Sequence, residues 1–139
     1  MSTYILIMHG KFKAQFQVGA LGEVMLELGC YLYVGSAKRY LEARLRRHLR
    51  TEKRRRWHID YLLTGEACEI REIWLEEGMA ECQLAASLLV LPGVTIPKPR
   101  LGASDCRCPA HFFRYDGELA ALQQHLHVLG FSLYSRCQK

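Results

Sequence analysis

Three absences narrow the class of protein to which this chain can belong. Its 139 residues contain no apolar run near the roughly 20 residues that a membrane-spanning helix needs, which argues against a helical membrane protein. The N-terminus has no charged leader followed by an apolar block, so we expect a cytoplasmic protein whose thiols stay reduced. No repeat, low-complexity tract or long linker divides the chain, so we expect a single domain over residues 1–139.

The positive charge is concentrated in one segment, residues 38–56. This segment holds ten Lys or Arg against two Glu, a local net charge of +8, whereas the whole chain has a formal net charge of +5. The rest of the chain is therefore faintly acidic, at −3. A basic patch on such a body predicts a polyanionic partner, of which nucleic acid is the usual example.

The periodicity of apolar residues predicts one compact α/β or α+β domain. Residues 11–18 alternate apolar and polar side chains, which is typical of a half-buried strand, and we expect them to form a hairpin with a strand at 4–8, turning near His9 and Gly10. Residues 23–28 fit no single pattern, and three prolines between 92 and 99 predict an extended loop. The remaining predicted strands lie at 30–34, 69–75, 111–115 and 130–134, and the predicted helices at 38–51, 57–63, 79–91 and 118–129.

A predicted strand that ends at residues 33–35 leads directly into the basic helix. Gly35 permits close backbone approach, and Ser36 can cap the helix or meet a phosphate with its hydroxyl. On the helix, Arg44 and His48 are about one turn apart and share a face. The guanidinium of Arg44 and the imidazole of His48 can therefore contact the same phosphate or water.

Two tyrosines and a glutamate complete a candidate hydrolytic site. Tyr4 and Tyr33 lie on strands that we expect to be neighbours, so their hydroxyls can converge on the basic helix. Glu81, in the first turn of the helix at 79–91, offers one carboxylate of the kind that Mg²⁺ accepts beside waters and phosphate, although a carboxylate there also suits the helix dipole. A base, a phosphate clamp and a metal ligand are the parts of phosphodiester cleavage. Hydrolysis requires these groups to surround one water-accessible cleft.

Four segments resemble a branch of the GIY-YIG nuclease superfamily that is found alone or fused to DNA-repair glycosylases. They are residues 31–37 (YLYVGSA), 47–50 (RHLR), 57–63 (WHIDYLL) and 104–111 (SDCRCPAH). Within the first of them, YVG matches the second half of the family signature, and Ser2-Thr3-Tyr4 stands where the first half is expected. The resemblance covers nearly the full length, with residues 91–139 as an extension particular to the branch.

The resemblance implies an α+β fold, an α/β sandwich in which a small, mainly antiparallel sheet of three or more strands is flanked by helices. It also implies a divalent-metal-dependent endonuclease that hydrolyses phosphodiester bonds in DNA during repair, with Mg²⁺ or Mn²⁺ as cofactor. DNA is favoured over RNA as partner, and a DNA-repair protein is a further expected partner. The implied catalytic residues are Tyr4, Tyr33, Arg44, His48 and Glu81, with Glu81 as the metal ligand.

The basic segment and its neighbours supply the expected nucleic-acid contacts. These are Ser36, Lys38, Arg39, Arg47, Arg50, Lys53, Arg54, Arg55, Arg56 and His58. Many nucleases of the family place an asparagine after the glutamate, and this chain contains no asparagine. The alternative function is therefore a non-catalytic nucleic-acid-binding domain that uses the basic helix at 38–56.

A second candidate metal site lies in the C-terminal third. Cys106, Cys108 and His111 follow a Cys-x-Cys-x-x-His spacing, and thiolates with imidazole favour Zn²⁺. A fourth ligand would have to come from Cys68, Cys82 or Cys137. The alternative is a tight turn in which Ser104 and Asp105 bond to the backbone.

Overall fold

Strand β1 (Ser2–Gly10) is the centre of the fold, because nearly all of its side chains are buried. In the computed structural model, which describes residues 1–136, β1 pairs antiparallel with β4 (Gly29–Ala37) on one side and with β5 (Cys68–Glu77) on the other. The unbroken apolar run at residues 4–8 is typical of a strand that is covered on both faces.

Six strands form one antiparallel sheet in the order β6-β7-β4-β1-β5-β8. The outer strands are β6 (Val94–Thr95), β7 (Phe112–Tyr115) and β8 (Ser132–Arg136), so residues after 91 supply three of the six strands. β7 pairs with β4, and β8 pairs with β5. The expected α+β fold, with a mainly antiparallel sheet flanked by helices, is confirmed.

Helices cover both faces of the sheet, because side chains along β1 point alternately to one face and the other. Tyr4 and Leu6 face one core, and Ile5 and Ile7 face the other. The first core is closed by α1 and α2 and the second by α3 and α4. Their bounds are α1 Leu41–Leu49, α2 His58–Leu63, α3 Glu81–Leu89 and α4 Leu119–Val128. No helix within residues 1–136 has the length and apolar character of a membrane span.

The predicted hairpin between residues 4–8 and 11–18 is wrong. Strand β2 (Ala14–Val18) pairs instead with β3 (Gly22–Leu26), across a short 3-10 turn, and the two make a separate small sheet. Alternation shows which side chains share a face and leaves the pairing partner open. Both edges of β1 are occupied by β4 and β5, so β2 has no place beside it.

The other predicted elements are present with boundaries shifted by a few residues. The basic helix runs over Leu41–Leu49 rather than 38–51. It starts late because Tyr40 adopts a left-handed conformation with φ of 59°, and it ends early because Arg50 is extended. The loop predicted at 92–99 contains the two residues of β6.

Candidate functional site

A cleft of about 310 Å³ lies at the end of the sheet where β1 begins and where β4 and β5 end. Four of the five predicted catalytic residues line it, namely Tyr4, Tyr33, Arg44 and Glu81. The fifth, His48, lies behind Tyr4 and is 2% exposed. The rest of the wall is formed by Gly35, Ser36, Arg56, Trp57, His58, Gly102, Ser104, Asp105, Cys106 and His111.

The two phenols reach the cleft from neighbouring strands. Tyr4 lies directly opposite Gly35 in the β1–β4 ladder, and Tyr33 is two residues before Gly35, so both tyrosines share one face of the sheet. The Tyr4 hydroxyl shares a hydrogen bond of 2.7 Å with Nε2 of His48. Tyr4 is 1% exposed and Tyr33 is 8% exposed, so only a small part of each phenol is accessible to water, and this burial counts against the expected water-accessible site.

Tyr4 and His48 form a neutral pair at neutral pH. Burial raises the pKa of Tyr4 and of Tyr33 above their ordinary values, so both phenols keep their protons. Burial, reinforced by the nearby Lys53 ammonium, lowers the pKa of His48 to about 3. The other ring nitrogen of His48, Nδ1, is buried and has no hydrogen-bond partner among residues 1–136.

Three guanidinium groups lie close to the ring of Trp57, which lines the cleft. The guanidinium carbons of Arg44, Arg47 and Arg56 lie 4.7, 4.9 and 5.6 Å from the centroid of its ring. Cations over an indole face are attracted by the ring quadrupole. Arg44 also donates to the carbonyl oxygen of Ser36, which fixes the arginine against the end of β4. The sequence analysis identified the arginines and did not identify Trp57.

Asp60 holds the segment that carries these arginines. Its side chain is fully buried, and its Oδ2 accepts hydrogen bonds from the Arg47 guanidinium at 2.7 Å and from the backbone N–H groups of Arg56 at 2.8 Å and Trp57 at 2.9 Å. Although burial acts to raise the pKa of Asp60, these hydrogen bonds hold it below its ordinary value. Asp60 thereby joins Arg47 of α1 and the backbone of Arg56 and Trp57 to the first turn of α2.

Two of the expected nucleic-acid contacts, Arg47 and Lys53, are used inside the protein. The Lys53 ammonium donates to the carbonyl oxygens of Arg47 at 2.8 Å and His48 at 3.0 Å, and the Lys53 side chain is 1% exposed. The Arg47 guanidinium donates to Asp60 and to the carbonyl oxygen of Arg54. Lys53 therefore caps the end of α1 and is not placed to contact a phosphate. The expected contacts that remain exposed are Lys38, Arg39, Arg50, Arg54, Arg55 and Arg56.

His58 contributes a fixed N–H group to the wall of the cleft. The backbone N–H of Gly102 donates to Nδ1 of His58 at 3.0 Å, so the neutral ring carries its proton on Nε2. Burial lowers the pKa of His58, which favours this neutral form. Gly102 has a φ of +77°, and a Cβ there would lie 3.0 Å from the Tyr33 ring, so this close approach needs glycine.

Glu81 reaches the cleft because the start of α3 is tied to the start of β1. The Thr3 hydroxyl donates to the carbonyl oxygen of Met79, and the Met79 N–H donates to Glu76 at 2.7 Å. Glu81 is the first residue of α3, and its side chain is 38% exposed. Its Oε2 lies 3.6 Å from Nδ1 of His111.

Next to Glu81, four side chains form a cluster that could hold a metal ion. The Sγ atoms of Cys82, Cys106 and Cys108 and a ring nitrogen of His111 all lie within 4.8 Å of one another. Of the three cysteines considered for the fourth ligand, Cys82 joins the cluster. Cys68 lies in the core beside α1 and α2, and Cys137 lies outside the described residues.

The family model of the Domain of unknown function DUF123 matches residues 3–130 of the chain. This range includes all of β1 except Ser2, the basic helix, the cleft residues and the whole cysteine–histidine cluster. No curated protein and no solved structure matches the chain. Because the match covers far more than half of the sequence, the chain belongs to the DUF123 family.

Proposed function

We propose that this protein is a divalent-metal-dependent endonuclease that hydrolyses phosphodiester bonds in DNA, with a role in DNA repair. The observation that carries the proposal is the meeting of Tyr4, Arg44 and Glu81, from three separate segments, in one cleft of about 310 Å³. The resemblance of the sequence to GIY-YIG nucleases supports the same activity. The five free thiols of the described part support a reducing, cytoplasmic setting.

Arg44 is the residue that binds the scissile phosphate in this proposal. One of its terminal nitrogens donates to the Ser36 carbonyl oxygen, and the guanidinium, which lies over the Trp57 ring, belongs to a residue that lines the cleft. A planar fork held in this way can donate two parallel hydrogen bonds to phosphate oxygens. The Nε2–H of His58 adds a neutral donor to the same cleft.

Tyr4 orients the attacking water in this proposal. A phenol that donates its proton to Nε2 of His48 keeps its oxygen lone pairs as acceptors, one for the Arg44 guanidinium and one for a water in the cleft. The water oxygen bonds to phosphorus as one P–O ester bond breaks, and one of the two protons of the water passes through solvent to the leaving oxygen. Because His48 is a weak base, the Tyr4–His48 pair orients the water and does not act as a general base that accepts a proton from it.

The cleft offers oxygen donors for Mg²⁺ or Mn²⁺. The carboxylates of Glu81 and Asp105 and the hydroxyls of Ser36 and Ser104 all line it, and oxygen is the donor that these hard cations prefer. Glu81 would hold the ion directly, as the resemblance to GIY-YIG nucleases implies. An ion bound there would supply positive charge for the phosphate oxygens.

We also propose that the ion held by the cysteine–histidine cluster is Zn²⁺. Three thiols and one imidazole form a soft donor set, and Cys₃His is a common composition of closed structural zinc sites. Mg²⁺ prefers oxygen, so the two proposed ions do not compete for the same ligands.

The test is a cleavage screen on branched, flapped and nicked DNA with Mg²⁺ or Mn²⁺. Arg44→Ala should lose cleavage by about 100-fold or more, which is the usual cost of removing one charge-stabilising donor. Arg46→Ala is the matched control, because Arg46 is exposed on the same helix and does not line the cleft. Equal cleavage by wild type and Arg44→Ala, or no cleavage of any DNA by wild type, would contradict the proposal.

A second candidate function is supported by the burial of the phenols. Tyr4 and Tyr33 are almost completely enclosed, which suits a packed core better than a reactive centre. A non-catalytic domain would use the exposed arginines of residues 38–56 to bind nucleic acid. It should bind DNA with strong salt sensitivity and cleave none of the substrates in the screen.

A further inference from the structure

The cysteine–histidine cluster joins two segments that are far apart in the chain. Cys82 is the second residue of α3, whereas Cys106, Cys108 and His111 lie in the loop that precedes β7. An ion held by all four side chains would therefore fasten the loop to the start of α3.

The spacing of the ligand atoms fits a tetrahedral zinc centre. Nε2 of His111 lies 3.7 Å from Sγ of Cys82 and 3.6 Å from Sγ of Cys106. With Zn–S near 2.3 Å and Zn–N near 2.0–2.1 Å, tetrahedral geometry requires a sulfur–nitrogen separation of about 3.6 Å. The histidine and two of the cysteines are thus at the separations that an ion of this size requires, and the Cys108 Sγ lies within 4.8 Å of the other ligand atoms.

The loop is folded around the cluster by its own hydrogen bonds. The Arg100 guanidinium donates to the carbonyl oxygens of Cys106 and Cys108, both at 2.5 Å. The backbone N–H of His111 donates to the carbonyl oxygen of Leu101 at 2.9 Å, which closes the loop at its other end. Three thiolates around one Zn²⁺ leave one surplus negative charge, and Arg100 places a positive charge beside it.

His111 connects the cluster to the cleft through its second ring nitrogen. While Nε2 faces the sulfurs, Nδ1 lies 3.6 Å from Oε2 of Glu81 and has no hydrogen-bond partner elsewhere in the described part of the chain. His111 is 2% exposed, so water does not satisfy this atom freely. A metal ion on one ring nitrogen of a neutral histidine leaves the proton on the other, which commonly donates to a carboxylate.

We propose that the cluster is a structural zinc centre that positions Glu81 through His111. Zinc on Nε2 leaves N–H on Nδ1, and this N–H holds the Glu81 carboxylate at the wall of the cleft. His111 is then a positioning residue, and the cluster also fixes Gly102, Ser104 and Asp105, which line the same cleft. The consequence for cleavage rests on the proposed nuclease function, whereas the zinc centre and its link to Glu81 do not.

The zinc centre is tested on protein purified without chelator. We expect one zinc per chain in the wild type, and after replacement by Co²⁺ we expect the intense visible absorption of a tetrahedral thiolate site. Cys82→Ala should lose the metal, whereas Cys68→Ala should keep it, because Cys68 lies in the core away from the cluster. Wild-type protein without zinc, or zinc retained in full by Cys82→Ala, would overturn the assignment.

The link to Glu81 is tested by nitrogen-15 NMR of the zinc-loaded protein. The wild type should show a slowly exchanging Nδ1–H signal from His111, and Glu81→Ala should shift that signal or speed its exchange while one zinc remains bound. An unchanged signal in Glu81→Ala would refute the positioning role. This measurement does not depend on cleavage, so it distinguishes failure of the link from failure of the nuclease proposal.

His111→Cys separates the two roles of the histidine. Four cysteines also bind zinc, so this variant should retain the metal while losing the N–H group that faces Glu81. If wild type cleaves DNA, the variant should be about tenfold or more less active, with a raised requirement for Mg²⁺, since loss of such an outer partner usually costs 10–100-fold. Full activity at the wild-type Mg²⁺ requirement would count against the link.

Discussion

Gly35 lies directly opposite Tyr4 across β1 and β4, and the Tyr4 ring occupies the space that a side chain at position 35 would fill. A Cβ built on Gly35 would lie 2.5 Å from both Cζ and the hydroxyl oxygen of Tyr4. Nothing about the backbone angle at Gly35 demands glycine, so the constraint is steric. The glycine of the YVG motif therefore makes room for the phenol at the floor of the cleft.

Gly35→Ala should displace Tyr4 and cost about 1–3 kcal/mol of unfolding free energy, which is typical of an overpacked core. In a Tyr4→Val background the same substitution should cost less by about 1 kcal/mol or more, because the conflicting ring is gone. Urea unfolding of the four proteins in this cycle measures the coupling. Equal costs of Gly35→Ala in both backgrounds would show that the two residues do not conflict.

Exposed and buried basic residues of the 38–56 segment should differ in their effect on DNA binding. Arg54→Ala should reduce the slope of log K against log salt concentration by about one, since an exposed arginine can neutralise one phosphate. Lys53→Met should leave the slope unchanged and lower stability, because the Lys53 ammonium donates hydrogen bonds to two carbonyl oxygens at the end of α1. Binding isotherms at several salt concentrations decide this, and equal slope changes would contradict the assignment.

The burial of His48 predicts a loss of stability in mild acid. The pKa of His48 falls from its ordinary 6.5 to about 3 in the folded protein, so below pH 6.5 the unfolded chain binds a proton that the folded chain does not. His48 alone should therefore lower stability by up to about 1.4 kcal/mol per pH unit from pH 6.5 downwards, beside the contribution of His58, whose pKa burial also lowers. His48→Gln should flatten this dependence, measured by urea unfolding between pH 7.5 and 5.

The matched control for this pH dependence is His127→Gln, because His127 is exposed on α4. It should follow the wild-type curve. A His48→Gln curve parallel to that of the wild type would show that His48 is not the residue whose protonation is suppressed by folding.

Asp60 should contribute strongly to stability. Asp60→Asn replaces with an amide the buried carboxylate that accepts hydrogen bonds from Arg47, Arg56 and Trp57. We expect the free energy of unfolding to fall by about 2–4 kcal/mol. Asp116→Asn is the control, since Asp116 is 60% exposed and its ion pair with Arg114 should be worth less than about 1 kcal/mol. Comparable losses in the two variants, measured by urea unfolding, would contradict the role assigned to Asp60.

The sequence predicted the positions of strands and helices better than it predicted which strands pair with each other. Alternation at residues 11–18 correctly indicated a strand, and the periodicity of apolar residues indicated α1. The pairing of β2 with β3, and the place of β1 between β4 and β5, depend on contacts between distant segments that a local pattern does not contain.

The same limit applies to the candidate site. Residue types and the GIY-YIG resemblance singled out Arg44 and Glu81, which do share one cleft. Nothing local could choose Cys82 over Cys68 as the fourth cluster residue, because the choice depends on where α3 meets the loop before β7. Nor could a charge count show that Lys53 is buried, since its surroundings are set by the fold.

The most direct test of the account measures cleavage and binding of one branched DNA by wild type and Glu81→Gln in Mg²⁺. Glu118→Gln serves as the control, because Glu118 is an exposed carboxylate at the start of another helix. We predict that Glu81→Gln binds the DNA as tightly as wild type and cleaves it about 100-fold more slowly or worse. Cleavage by Glu81→Gln at the rate of wild type and of Glu118→Gln would contradict the account.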